Sequence, residues 1–217
     1  FSNLLEIGNN PSKPLVQFGN PTFETVFLAR FNSDGQILNG AAIANPNGEN
    51  IEVNASTTNE VGEFYMVGSF SGTVDFSFSG NSLSASGNDN DGFVVRYDSL
   101  FNQLSAYTLL STHNASVNDI RCDISNNYFI TGYFWDDATF GKGAGSQTFS
   151  SVGPQDLFIA SFNLADSLLF VNVAGGNGAS ASGKNLMSAN SGEIYLTGTF
   201  SNEIDFDLTP GSLLLNS

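Results

Sequence analysis

Three groupings of side chains in this sequence carry the elements of a chemistry. The run Gly87-Asn88-Asp89-Asn90-Asp91-Gly92, followed by Asp98, sets oxygen-bearing side chains at alternate positions before a glycine, with a carboxylate six residues beyond it. That is the outline of a calcium-binding loop, with Asp89, Asp91 and Asp98 as candidate ligands. The first ligand of such a loop is missing, and the matching segment Ser151-Val152-Gly153-Pro154-Gln155-Asp156 holds one carboxylate, so a polar turn is the competing reading. Trp135, the only tryptophan, with Tyr133 beside Phe134, offers an aromatic platform for the apolar face of a sugar; packing in a core is the alternative. Acidic residues also recur after a phenylalanine, as Glu6, Asp75 and Asp205, with Asp136 and Asp137 near the same place in another copy. A catalytic carboxylate pair needs two unlike environments to separate its pKa values, and repetition supplies like ones. These residues are therefore expected to bond turn amides.

The remaining chemistry is thin. Cys122, within Asp119-Ile120-Arg121-Cys122-Asp123, reads as a small buried hydrophobe, and His113 has no acidic or nucleophilic neighbour in sequence. One Cys excludes an internal disulfide, and one Cys with one His cannot build a zinc cluster from this chain alone. No Ser/His/Asp set, Gly-x-Ser-x-Gly or phosphate loop is visible, and the glycine-rich segments 141–145 and 175–183 lack a strand-to-helix context. No catalytic residue and no cofactor is expected, calcium aside. The balance of 6 Lys+Arg against 21 Asp+Glu gives a net charge of −15, which repels nucleic acid and anionic lipid alike. Apolar stretches run only a few residues, far short of the roughly 20 that cross a bilayer as a helix. A hydrophobic content of 41% nevertheless supports a real core. Phe1 in place of Met implies a processed or fragmentary polypeptide.

The elements that position these residues repeat. Phe64-Tyr65-Met66-Val67-Gly68-Ser69-Phe70 returns at Tyr128–Phe134 and at Ile194–Phe200, with Gly-to-Gly steps of 64 and 66. A second anchor, Val26–Phe31, returns at Gly92–Tyr97 and Leu157–Phe162 in the same register, so the period is about 65 residues. The runs are short, rich in Phe, Tyr, Ile, Val and Thr, and bounded by Gly, Asn, Asp and Ser, which predicts strands. A first strand is expected at Ile51–Ala55, Asn118–Ile124 and Asn185–Ala189, and a second at Phe64–Ser69, Tyr128–Tyr133 and Ile194–Thr199. A third is expected at Val26–Phe31, Phe93–Tyr97 and Phe158–Phe162, and a fourth at Ile37–Ile43, Leu104–Leu110 and Leu168–Val173. Between second and third lies a variable excursion with a small hairpin, as in Val74–Phe78 and Ser82–Ala85. The third strand is apolar on both faces, so sheets should stack face to face. The recurring Gly68, Gly132 and Gly198 should mark a close backbone approach.

Four antiparallel strands per repeat, covered on two sides, predict an all-β fold of β-propeller blades. Residues 1–43 supply the second half of a blade, 44–110 and 111–175 two full blades, and 176–217 the first half of another. Three blades fall short of the four to eight that close a ring, so an incomplete ring is expected, a fragment of a larger propeller. Its remaining blades would come from the parent polypeptide or from another chain.

The segments Tyr195–Ser201, Ile204–Gly211 and Asp91–Asp98 together resemble the SBBP-type β-propeller repeat, found in secreted and surface proteins of Bacteroidota and often upstream of a type IX secretion sorting domain. The resemblance spans essentially the whole chain, departs from the pattern between Ala44 and Val61, and includes no sorting domain. It implies an extracellular or cell-surface repeat protein without a family catalytic set, whose partners include outer-membrane secretion or surface proteins. Asp98-Ser99-Leu100 and Asp166-Ser167-Leu168 resemble the O-glycosylation acceptor of exported proteins of that phylum, making Ser99 and Ser167 candidate O-glycosylation sites in the turn after the third strand. The expected function is a non-catalytic scaffold or adhesive, protein-binding surface of a secreted bacterial protein. The rivals are part of a carbohydrate-active hydrolase or lyase propeller, and a cargo or subunit of a type IX secretion or cell-surface complex.

Overall fold

A computed structural model describes residues 26–43, 48–77, 82–85, 89–189, 191–207 and 213–217. Apart from one 3-10 turn at Gly143–Gly145, the elements are strands. The chain runs through β1 (Val26–Phe31), β2 (Ile37–Ile43), β3 (Ile51–Thr58) and β4 (Phe64–Phe70), a short hairpin β5 (Thr73–Asp75) with β6 (Ser82–Ser84), then β7 (Asp91–Tyr97) and β8 (Gln103–Ser111). The succession returns as β9 (Ala115–Cys122), β10 (Tyr128–Phe134), hairpin β11 (Asp137–Phe140) with β12 (Gln147–Ser150), β13 (Asp156–Phe162) and β14 (Leu168–Ala174). It begins again as β15 (Ser180–Ser188), β16 (Ile194–Ser201) and hairpin β17 (Glu203–Asp205) with β18 (Leu214–Asn216).

The sheets are open. β9, β10, β13 and β14 form one antiparallel sheet in the order β14-β13-β10-β9. β3, β4, β7 and β8 are ordered in the same way within a six-stranded sheet, which the hairpin β11–β12 extends by docking on the free edge of β8. Thus the hairpin of the variable excursion, expected from the sequence without a partner, crosses here to the neighbouring sheet. β1–β2 and β15–β16 remain two-stranded among the described residues.

The first strands begin earlier than the apolar pattern predicts, at Ala115 rather than Asn118 and at Ser180 rather than Asn185. The cause is a bulge: the register slips past Asn118 in β9, past Lys184 in β15 and past Asn54 in β3. An extra residue inverts the alternation of faces, so the stretch before it falls out of phase with the stretch after it.

The core is a series of layers. One cluster, including Leu28, Met66, Phe70, Phe93 and Tyr97, lies between β1–β2 and the six-stranded sheet. A second, including Tyr65, Val67, Val94, Ile130 and Phe158, lies between that sheet and the four-stranded one. A third, with Leu157, Ala181 and Ile204, lies between the four-stranded sheet and the last hairpins. Alternate residues of β4 feed different layers, Tyr65 and Val67 one way, Met66 and Phe70 the other, as a strand covered on both faces requires. β1 departs from this expectation. Leu28 is buried, but Phe27 and Phe31 are both 55% exposed, and among the described residues no sheet is packed on their face. The glycine expectation holds: a Cβ on Gly68 would collide with the Glu52 carbonyl, one on Gly132 with Ser116, and one on Gly198 with Ser182.

Candidate functional site

Asp91 and Asp98 sit at opposite ends of β7, about 20 Å apart at roughly 3.3 Å per residue, so one ion cannot touch both. Asp91 is fully buried, and its carboxylate accepts the Ser111 N–H at 2.8 Å. Asp98 opens the turn into β8, where Oδ1 accepts the N–H groups of Leu100 at 2.8 Å and Asn102 at 2.9 Å. The Asn102 carboxamide donates to Oδ2 at 2.8 Å and, with the backbone amides, holds this carboxyl below its ordinary pKa. Asn32 and Asn163 clamp the equivalent turns through the same atom, Oδ1, to the residues two and four ahead. Asp98 is thus one copy of a recurring turn device that works equally with a neutral amide. Gly87 and Asn88 lie outside the described residues, and Asp89 is half-buried next to Asn90. Among the described residues no three His, Cys, Asp or Glu side chains gather as a metal site.

The other repeated acids behave alike. Asp75 accepts from the Ser77 N–H and hydroxyl at 2.8 and 2.7 Å, and Asp205 from the Asp207 and Leu213 amides, both at 2.9 Å. Asp156, the counterpart of Asp91, is fully buried and takes amides from Val152 at 2.8 Å and Gly153 at 3.2 Å. Burial pushes its carboxyl up, and those two amides pull against it. Glu6 lies outside the described residues.

Trp135 is where the fold gathers groups that are far apart in sequence. It follows β10, at the end of the four-stranded sheet where β9 and β13 start, and its carbonyl takes the hydroxyl of Ser111 at the end of β8 in the neighbouring sheet. Its backbone N–H donates to the Asn114 carbonyl at 2.8 Å and its indole Nε1 to the Gln155 side-chain oxygen at 3.1 Å, while the ring stays 41% exposed. Tyr133 is half-buried in β10. Burial pushes its phenol up, and the Glu52 charge adds to the shift. The exposed part of the platform is therefore the indole, with Gln155 along its edge.

Beside the indole stands a pair that the sequence did not reveal. His113 Nδ1 lies 2.6 Å from Asp136 Oδ2, both side chains more than half exposed. The residues come from separate loops, joined by Thr112 N–H to the Asp137 carbonyl at 2.9 Å and Asp137 N–H to Thr112 Oγ1 at 3.1 Å. Asp136 has a positive φ of 52°, and its N–H donates to Ser151 Oγ at 3.1 Å. A His–Asp pair suggests base catalysis, but the Ser111 hydroxyl on the same loop gives its proton to the Trp135 carbonyl at 2.9 Å and accepts the His113 backbone N–H at 3.3 Å. It is committed to the loop and not presented to the imidazole. The arrangement can stack, donate and accept hydrogen bonds; it does not assemble a nucleophile.

Ser99 and Ser167 are both exposed on turns after the third strand, but at different positions. Ser99 is the second residue of its turn, and its carbonyl accepts from Arg30 at 2.9 Å; Ser167 is the last of its turn, with its N–H on Asn163 at 3.0 Å. Cys122 is half-buried against the central core layer, and burial, with Asp123 and Glu63 adding, pushes its thiol up to about 12. Among the described residues no helix is long and apolar enough to cross a membrane. No protein-family model and no curated protein matches this sequence.

Proposed function

We propose that the chain is a run of β-propeller blades of the SBBP type, acting as a non-catalytic scaffold or protein-binding surface of a secreted bacterial protein. Two successive sheets with one strand order, one register and one bulge support the architecture. Gly68 faces Val53 and Phe93 as Gly132 faces Val117 and Phe158. The single observation that carries the functional reading is the fate of the recurring acids. Asp75, Asp91, Asp98, Asp156 and Asp205 all accept backbone amides of their own turns or sheet ends. Groups spent on backbone support repetition of the fold rather than a reaction, and they leave the indole of Trp135 with its polar rim as the surface offered to a partner.

The test is turnover. Polysaccharide and peptide substrates incubated with the protein should be recovered unchanged. Hydrolysis or elimination lost in both His113→Ala and Asp136→Asn would assign the enzyme alternative instead. The extracellular placement is checked by protease treatment of intact cells of the source organism, which should release peptides of this chain; release only after lysis overturns it.

A further inference from the structure

In the six-stranded sheet the contact between β4 and β7 carries a charged trio. Arg96 stands opposite Tyr65, its guanidinium 5.9 Å from the ring centroid and 3.6 Å from the Glu63 carboxylate just before β4. The equivalent contact between β10 and β13 holds Asn127, Phe129 and Ser161, so the trio is not a constant of the repeat. It recurs once more, divided between strands that do not meet: Glu193 and Tyr195 at β16, and Arg30 on β1. Both strands expose residues that their counterparts bury. Tyr195 is 54% exposed where Tyr65 is 0%, and Phe27 is 55% exposed where Phe93 and Phe158 are 0%.

Beside β1 lies an open groove of about 970 Å³, lined by Phe27, Phe31, Val53, Met66 and Leu104. The next layers show what such a place receives. β9 packs on β3 and β4, and β15 on β9 and β10. Each contact is fixed by the bulge asparagine of the earlier inner strand: Asn54 donates to Ser116 Oγ and the Val117 carbonyl, Asn118 to Ser182 Oγ and the Gly183 carbonyl. The third bulge residue is exposed Lys184, and the strand at the groove offers Glu52 and Val53 where the others offer Ser116 and Val117. Both ends are therefore complementary in shape, register and charge.

We propose that the groove seats β15–β16 of a second copy of this chain. β16 adds to the edge of β1 with Gly198 opposite Phe27, Tyr195 opposite Arg30 and Ile194 opposite Phe31, the register of Gly68 with Phe93. Arg30 then meets Tyr195 and Glu193, and Lys184 meets Glu52. Pairing within one chain is disfavoured because β1 and β15 lie at opposite ends of the layered core. On the propeller reading, two copies of these 217 residues present six blades, inside the four-to-eight range, and two head-to-tail contacts between them would close a ring. Ring closure rests on the propeller reading; the strand pairing rests only on the repeat register.

Light scattering of the full chain should give the mass of two copies. Arg30→Glu and Glu193→Arg should each raise the dimer dissociation constant about tenfold, and the double reversal should recover most of the loss. In a Cys122→Ala background, Phe31→Cys protein mixed with Ile194→Cys protein should form a disulfide between chains on oxidation. A monomer at every attainable concentration overturns the proposal, as does a dimer that neither reversal weakens. So does a disulfide forming inside a single chain that carries both cysteines. Circular dichroism of each reversal variant separates lost pairing from lost folding, and the mixed cross-link decides the case should a variant unfold. Open-ended polymers that still cross-link uphold the pairing and overturn the propeller reading.

Discussion

The carboxamide of Asn118 on β9 donates to the Gly183 carbonyl of β15 at 2.7 Å, one sheet beyond the matching bond from Asn54 on β3 to Val117 at 3.0 Å. In each case the bulge frees the side chain from its own ladder and points it at the next inner strand, so a local irregularity couples whole sheets. Asn118→Ala leaves a carbonyl and Ser182, which is 4% exposed, without their donor. A loss of about 1–3 kcal/mol is expected. Urea titration should show a lower midpoint with an unchanged slope; an unchanged midpoint sinks the coupling role.

Gly132→Ala tests the close approach of β9 to β10. Its Cβ would collide with the Ser116 carbonyl, a backbone atom that cannot rotate away. The cost should be about 3 kcal/mol or more, since either the bulge or the ladder must break. Gly145→Ala is the control, having open space around its Cβ and no positive φ, and should stay within about 0.5 kcal/mol. Equal effects from the two substitutions would refute the explanation.

Much of the ladder was legible because covered strands must be apolar in both phases, and so Phe93–Tyr97 and Phe158–Phe162 announce themselves. The boundary at Ala115 was not, because the bulge at Asn118 inverts the pattern on which the reading depends. Nor could local sequence show that β11 docks on β8, since Thr139 pairs with Leu110 only through the packing of one sheet beside another. The His113–Asp136 pair was invisible for the same reason: the partners come from different loops, 23 residues apart along the chain. Asp98 is legible as a turn former, and because turn clamps and calcium loops draw on the same residue types the sequence could not separate that role from a ligand's.

Asp98 has a carboxyl pKa below its ordinary value, so it favours folding above the unfolded pKa, and that contribution fades as pH falls through the folded one. Asp98→Asn keeps the Oδ1 acceptor, as Asn32 and Asn163 do at equivalent turns. The variant should melt slightly below the parent at neutral pH, because the Asn102 carboxamide loses its Oδ2 acceptor, and should lose less stability on acidification. Asp98→Ala should melt lower throughout. With Asp91 and Asp98 held at opposite strand ends, calcium and EDTA should leave the melting temperature of all three proteins unchanged; a calcium-dependent rise abolished in Asp98→Asn would restore the ligand reading.

Cys122 supplies a prediction at alkaline pH. Burial is the main cause that pushes its thiol up to about 12, so native protein carries almost no thiolate where an unfolded chain already carries some. The folded pKa is the higher one, so folding loses stability as pH rises from the ordinary thiol value towards the folded one. Alkylation by iodoacetamide at mildly alkaline pH should be far slower in native than in urea-unfolded protein. Cys122→Ala should flatten the alkaline limb of the stability profile, after allowance for the lost packing against the central layer. Native alkylation as fast as in the unfolded chain would show that the thiol opens to solvent, and the half-buried placement would then fail to protect it.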